Sequence, residues 1–159
     1  MAKNLMKIKE IFDKYSDTVY RVALTRTKNV ENAEDIFQEV FMKLSEKDPK
    51  FESEEHIKAW LIRVTINMTK NLHSSSWNQK VTSLTEEFKF ETEEESNVFE
   101  IVNELPQNYR TVIYLFYYEG YKTKEIAKIL NKSEGTIKTW LFRARDCLKE
   151  KLEGGFEDE

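Results

Sequence analysis

Along most of this chain apolar residues recur at spacings of three and four, the period of a helix with one buried side. Ile8, Ile11, Phe12, Tyr15, Val19, Val22 and Ala23 predict a first helix over Leu5–Thr27. Asn29 is placed to cap a second helix, Val30–Leu44, with Ala33, Ile36, Phe37, Val40 and Leu44 inward. A loop over 46–55 follows, with Phe51 as its one large apolar residue. Ile57, Trp60, Leu61, Val64, Met68 and Leu72 predict a third helix from Glu55 to about His73. Beyond a polar stretch the period returns over Val98–Leu105 and again over Gln107–Tyr118, with Pro106 in the first turn of the latter. Val112, Ile113, Leu115 and Phe116 are expected to pack against the segment after them.

That segment, Tyr121–Leu152, predicts two helices and a tight turn. Thr123 is placed to cap the first, which carries Ile126, Ala127, Ile129 and Leu130. Asn131-Lys132-Ser133 breaks the pattern, and Ser133 can cap the second, with Ile137, Leu141, Ala144, Leu148 and Leu152 on one face. The opposite face holds Lys138, Thr139, Phe142, Arg143 and Lys149, with Arg145 at its border. A short helix, a turn and a longer helix with a basic outer face is the helix-turn-helix arrangement, whose second helix enters the DNA major groove. Many basic outer faces are only solvated. Here Gly135 and Thr136 keep the leading tip thin, and Phe142 stands among outward charges where it can meet a thymine methyl.

Two more outer faces invite a partner. On the second helix Asp35, Gln38, Glu39 and Met42 form an acidic, amide and apolar stripe that suits either solvent or a basic docking surface. From His56 to Thr85 no acidic residue occurs, while Lys58, Arg63, Lys70 and Lys80 alternate with Asn67, Asn71, His73 and Trp77. Basic, amide and aromatic groups together suit a single-stranded nucleic acid. Trp60 fits the core and a stacking platform equally.

Composition agrees with an all-α fold: four Gly and two Pro in 159 residues, placed as punctuation, Gly154-Gly155 among them, and 34% charged residues. The net charge of −4 argues against nucleic acid only until it is divided along the chain. Residues 1–85 carry +2 and 105–153 carry +4, whereas 86–104 carries −7 and the tail 154–159 carries −3. The acidic strip marks a linker over residues 85–97 between two small helical bundles, residues 1–84 and 98–159.

Catalysis, cofactors and metals are not expected: there is no phosphate-binding glycine loop, nucleophile elbow or Cys/His metal spacing, and His56 and His73 lack ligand partners at helical spacing. The single cysteine, Cys147, permits no internal disulfide. No apolar run has the length of a membrane span and the N-terminus has no signal-peptide core, so a cytoplasmic protein without membrane insertion is expected.

Four segments in order, AEDIFQEVF at 33–41, AWLIRVTIN at 59–67, LPQNYRTVIYL at 105–115 and EGTIKTWLFRAR at 134–145, resemble the compact two-domain bacterial sigma factors of the extracytoplasmic-function (ECF) group within the sigma-70 family. The resemblance spans about Ile11 to Leu152. It implies a subunit that binds core RNA polymerase, recognises the minus-ten and minus-thirty-five promoter elements and promotes DNA opening. It places Asp35, Gln38 and Glu39, with Met42 on the same stripe, against the clamp helices of the largest polymerase subunit. Phe51 and Asn67 fall where the family receives a flipped minus-ten base, and Arg63, Lys70 and Asn71 lie on the same helix beside Trp60. Thr136, Lys138, Thr139, Phe142 and Arg143, with Arg145 at the border, match positions that read the minus-thirty-five duplex. The acidic linker matches the segment threading toward the RNA exit channel, and the implied partners are core polymerase, including its flap region, promoter DNA and, in some members, an anti-sigma factor. Trp140 and Ser74 stand where the family often has Arg.

The alternative is a free-standing helix-turn-helix regulator binding duplex DNA without polymerase, which leaves the Asp35 stripe and the acid-free helix unexplained. A helical adaptor without a DNA role leaves Phe142 and Arg143 incidental as well.

Overall fold

The computed structural model of the protein describes residues 7–70 and 93–157. Among them every regular element is helical, and the chain divides into two compact units, Met1–Thr82 and Ser83–Glu159.

The first unit packs α1 (Ile8–Thr27), α2 (Val30–Lys47) and α3 (Glu54–Lys70) against one another in all three pairings. Two αL residues make the corners. Lys28 (φ 55°) ends α1 by donating its N–H to the Leu24 carbonyl, and Asp48 (φ 40°) ends α2 in the same way on Leu44. Asn29 caps α2 as expected, its Oδ1 accepting the Asn32 N–H at 2.8 Å. Buried Arg26 joins α1 to α3 by donating Nε–H to the Thr69 hydroxyl at 2.9 Å.

The core differs from the expected faces at several places: Ile8, on the expected inner side of α1, is 39% exposed, and Met68 is half-buried. Ile62 and Ile66 are fully buried beside Ile57, Leu61 and Val64, because α3 is covered by both α1 and α2 and so buries a wider sector than one stripe. Phe12, expected inside, is 41% exposed, and Phe37 is half-buried. Phe12 meets Phe37 and Phe41 edge-on, with ring centroids 5.7 and 4.9 Å apart, and Phe37 lies tilted against Phe41 at 5.1 Å.

In the second unit α4 runs Glu93–Asn103 and α5 runs Gln107–Ile113 directly into a π-helical turn, Tyr114–Tyr118. Then come α6 (Thr123–Leu130) and α7 (Glu134–Glu157). Helix α4 therefore begins five residues before Val98, and Glu93–Asn97, assigned to the linker from sequence, are helical. Glutamates are good helix formers, and Glu93 and Glu94 stand at the positive end of the helix dipole. Pro106 stands one residue ahead of α5, not within its first turn. Helix α7 continues through Gly154 and Gly155, which lower helix propensity without blocking the helix. Gly120 is one glycine whose freedom the fold needs: its φ of +77° turns the chain from the π turn toward α6.

Val112, Ile113 and Leu115 are buried as expected, and so is Tyr114; Phe116 is half-buried. The connection between α4 and α5 is held by Arg110, which is itself buried and donates Nη1–H to the Leu105 carbonyl at 2.8 Å. Burial lowers the pKa of this guanidinium from the ordinary arginine value to about 10. The unfolded chain therefore holds the extra proton only between those values, so stability rises with pH in that window and the burial cost stands in full at pH 7. The hydrogen bond offsets that cost. Arg110→Ala is expected to destabilise this unit by roughly 2–3 kcal/mol, measured by urea unfolding at pH 7.

Candidate nucleic-acid interface

The helix-turn-helix is built by local bonds. The chain is extended at Lys122, whose N–H is accepted by the Glu125 carboxylate at 2.9 Å, so the helix is capped one residue earlier than the sequence predicts. The Thr123 hydroxyl, expected to cap α6, instead donates to Glu134 Oε2 at 3.0 Å and pins the start of α7 to the start of α6. Asn131 takes the αL conformation (φ 54°) and the Lys132 N–H reaches back to the Ala127 carbonyl at 2.9 Å, which closes α6. Ser133 caps α7 as expected, its Oγ accepting the Thr136 N–H at 3.1 Å.

Ile137, Leu141 and Ala144 bury one side of α7, while Leu148 is half-buried. The other side is open. Phe142 is 70% exposed, and Lys138, Thr139, Arg143 and Lys149 are exposed around it. Lys138 lies 3.6 Å from Glu134, a solvated pair of little energetic weight. Thr136 and Arg145, both predicted site residues, have partners within this unit as well. Thr136 is half-buried, its hydroxyl 2.8 Å from that of Ser133. Arg145 donates Nε–H to Tyr117 Oη at 2.6 Å and lies 5.4 Å from the ring centres of both Phe116 and Tyr117. Trp140 is half-buried on the flank.

In the N-terminal unit Trp60, Arg63, Asn67 and Lys70 follow one another at helical spacing on the outer side of α3, the last three exposed and Trp60 half-buried. Phe51 lies edge-on against His56 and Trp60, with ring centroids 5.3 and 5.7 Å away. Phe51 thus covers the head of α3, whereas Asn67 stands seven residues beyond Trp60, about 10 Å along the axis. The two form opposite ends of a strip. Asn71 lies outside the described residues, as does Ser74.

Asp35, Gln38, Glu39 and Met42 are all exposed on α2, Met42 by 59%, behind the buried row Ala33, Ile36, Val40 and Leu44. Adjacent helices of one unit therefore differ in chemistry: acid, amide and thioether on α2, basic, amide and indole groups on α3.

A helix-turn-helix with an open basic and aromatic face, in one chain with a second helical unit, defines a DNA-binding transcription protein. Comparison with known proteins narrows the class. Residues 11–79 match the family model for sigma-70 region 2, and residues 96–148 match that for sigma-70, region 4. The ECF RNA polymerase sigma factor SigM of Bacillus subtilis (strain 168) is 31% identical over 166 residues, covering 97% of this chain and 100% of that protein. SigW of the same organism, also an ECF RNA polymerase sigma factor, is 29% identical over 163 residues, with 90% and 87% covered. The fold is similar to that of the sigma factor RpoE in its complex with the anti-sigma factor NepR from Bartonella quintana, with a TM-score of 0.65, 22% identity, and 91% of this chain and 96% of that one covered. It is likewise similar to CnrH in complex with the cytosolic domain of CnrY, with a TM-score of 0.66, 20% identity, and 92% and 88% covered. The chain belongs to the ECF RNA polymerase sigma factors.

It is accordingly a transcription-initiation factor whose partners are core RNA polymerase and promoter DNA. The region 2 match accounts for the half that a free-standing regulator leaves unexplained, so that reading is not favoured. Among the described residues no helix is long and apolar enough to cross a membrane, and no group of three or more His, Cys, Asp or Glu could hold a metal.

Sequence reasoning missed His56, Ser53 and Tyr117. A serine three residues before His56 was a legible cap signal, since Ser53 Oγ accepts the His56 N–H at 3.1 Å. The contact of Tyr117 with Arg145 spans 28 positions and leaves no periodic trace.

Gly135 gives a test of the thin tip. A Cβ added there meets only Ser133 Oγ, at an ordinary 3.9 Å, so the free fold does not require glycine. Gly135→Ala is expected to leave the thermal midpoint unchanged or slightly higher, yet weaken holoenzyme binding to minus-thirty-five duplex about tenfold, measured by thermal unfolding and fluorescence anisotropy.

Proposed function

We propose that this sigma factor divides its work among three helix faces. Asp35, Gln38, Glu39 and Met42 on α2 dock on the clamp helices of the largest polymerase subunit. Phe51, Trp60, Arg63, Asn67 and Lys70 on and beside α3, with Asn71 after it, receive the separated minus-ten strand. Lys138, Thr139, Phe142 and Arg143 read the minus-thirty-five duplex, with Thr136 and Arg145 setting the edge of that surface, while the C-terminal unit meets the flap region. One observation carries the reading: α7 holds a phenylalanine 70% exposed among basic side chains, a cost to the free protein that contact with thymine methyls and the groove wall would offset.

The separation of Phe51 from Asn67 refines the minus-ten assignment. A strip of this length suits two successive unstacked bases, one stacked on the aromatic head and one hydrogen-bonded at Asn67. The domain division is proposed within the acidic strip, with its C-terminal edge at Glu93, where α4 begins. Work on the chromosome places the protein in the cytoplasm. An anti-sigma factor is a proposed partner as well, because RpoE and CnrH were each solved with a second protein, NepR and CnrY.

Asp35→Arg is expected to reduce affinity for core polymerase at least tenfold with an unchanged circular-dichroism spectrum, since Asp35 is exposed. Native affinity would remove the docking assignment. For the reading helix, a base contact and a phosphate contact differ in what their loss changes. Arg143→Ala should relax preference at particular minus-thirty-five positions by roughly 1–3 kcal/mol, whereas Lys149→Ala should weaken all sequences alike and flatten the salt dependence. Transcription from a randomised promoter library with each variant holoenzyme reads both. An unchanged selected motif for Arg143→Ala overturns base reading by this face.

A further inference from the structure

We propose that His56 is a positioning residue for promoter opening: its uncharged imidazole fastens the loop that presents Phe51 to the unstacked strand. This deepens the assignment of Phe51 as a stacking surface and rests on it.

Helix α3 opens with Ser53 as its cap, and His56 is its third residue. At this position Glu or Gln commonly reaches back to a free backbone N–H. Here the imidazole does so: Nδ1 accepts the Glu52 N–H at 3.1 Å. As an acceptor Nδ1 is unprotonated, so in this arrangement the ring is neutral with its hydrogen on Nε2. The bond fixes the residue next to Phe51, and the His56 ring stands at 85° to the Phe51 ring with centroids 5.3 Å apart. Phe51 is therefore held from two sides, by its neighbour's backbone and by the rings of His56 and Trp60.

The choice of histidine has an electrostatic reason. Glutamate would give an equal or stronger acceptor but would add a further negative charge to those of Glu52, Glu54 and Glu55 and carry it onto a strip that contains no acidic residue from His56 to Thr85. A carboxylate there would repel DNA phosphates, and a neutral acceptor does not.

The test separates the bond from the ring. In His56→Asn the amide oxygen falls near the position of Nδ1 and keeps the acceptor; His56→Phe keeps a ring and loses it; His56→Ala loses both. Each full-length variant is assembled with core polymerase on a promoter selected by the wild-type holoenzyme and carrying 2-aminopurine in the minus-ten element. Fluorescence reports base unstacking, and a gel-shift assay at low temperature reports closed-complex binding. His56→Ala and His56→Phe are expected to slow unstacking about tenfold with closed-complex affinity unchanged, and His56→Asn to stay within about threefold of wild type. The inference is overturned if His56→Asn is as slow as His56→Ala, or if His56→Phe or His56→Ala opens at the wild-type rate. Phe51→Ala in the same assay keeps the two levels apart: a wild-type rate there removes the stacking assignment itself. If Phe51→Ala is slow and His56→Ala is not, only the role of His56 fails.

Discussion

The seating of α7 governs what the C-terminal unit can offer. Ile137, Leu141 and Ala144 are essentially fully buried, and adjacent positions on a helix differ by about 100°. Turning α7 by one residue would place Lys138 and Phe142 where Ile137 and Leu141 now lie, and would strand a lysine in the core. The buried row thus sets the outward direction of Lys138, Thr139, Phe142 and Arg143 more firmly than any surface bond does. The hydrogen bond from Thr123 to Glu134 and the Ser133 cap fix the remaining freedom, the position of the helix start relative to α6. Arg145, braced against Phe116 and Tyr117, steadies the helix farther along.

In the N-terminal unit three helices with one common core leave outer sides of opposite chemistry on neighbours in sequence. The α2 stripe carries two carboxylates and the described outer strip of α3 carries none beyond Glu54 and Glu55 at its start. A polyanion is repelled from the first and accepted by the second, so charge alone biases which partner meets which helix. The overall charge of −4 conceals this, because it sums faces of opposite character.

Most of the fold was legible because its signals are local. Three- and four-residue periodicity gave the helices, and Asn29 and Ser133 marked two caps correctly. What misled was local as well: Thr123 looked like a cap, but Glu125 serves the Lys122 N–H and frees the hydroxyl for Glu134, eleven residues away. Glu93–Asn97 looked like linker because glutamate-rich sequence has no apolar period, although glutamate has high helix propensity. Phe12 looked buried because periodicity finds a helix side without saying where that side runs out of cover. The exposed sides of the proposed interfaces could be listed from sequence, and the structure brings Lys138, Thr139, Phe142 and Arg143 to one surface. The distance between Phe51 and Asn67 could not be read, since it depends on how the loop before α3 folds back over His56 and Trp60.

Restrained grip in each unit suits a factor that must engage and later release promoter DNA. On the proposed assignments, a face with two cations and one aromatic ring contributes modest affinity by itself, and so does a short single-strand strip. Held on one polymerase, the two act at high effective concentration, and their combined affinity exceeds either alone. Strand opening then draws on that surplus: unstacking a base costs a few kcal/mol, and the cost is offset only where a rigid surface is ready to receive it. Rigidity is what the head of α3 supplies. Phe51 comes from a loop, the part of a fold least able to hold a side chain still, and Ser53, His56 and Trp60 fasten it from the helix. On the proposed assignment of Phe51 as a stacking surface, a loose ring would lose its own freedom at the moment of stacking and return less of the unstacking energy, so ordering it beforehand would shift that cost from promoter opening to folding.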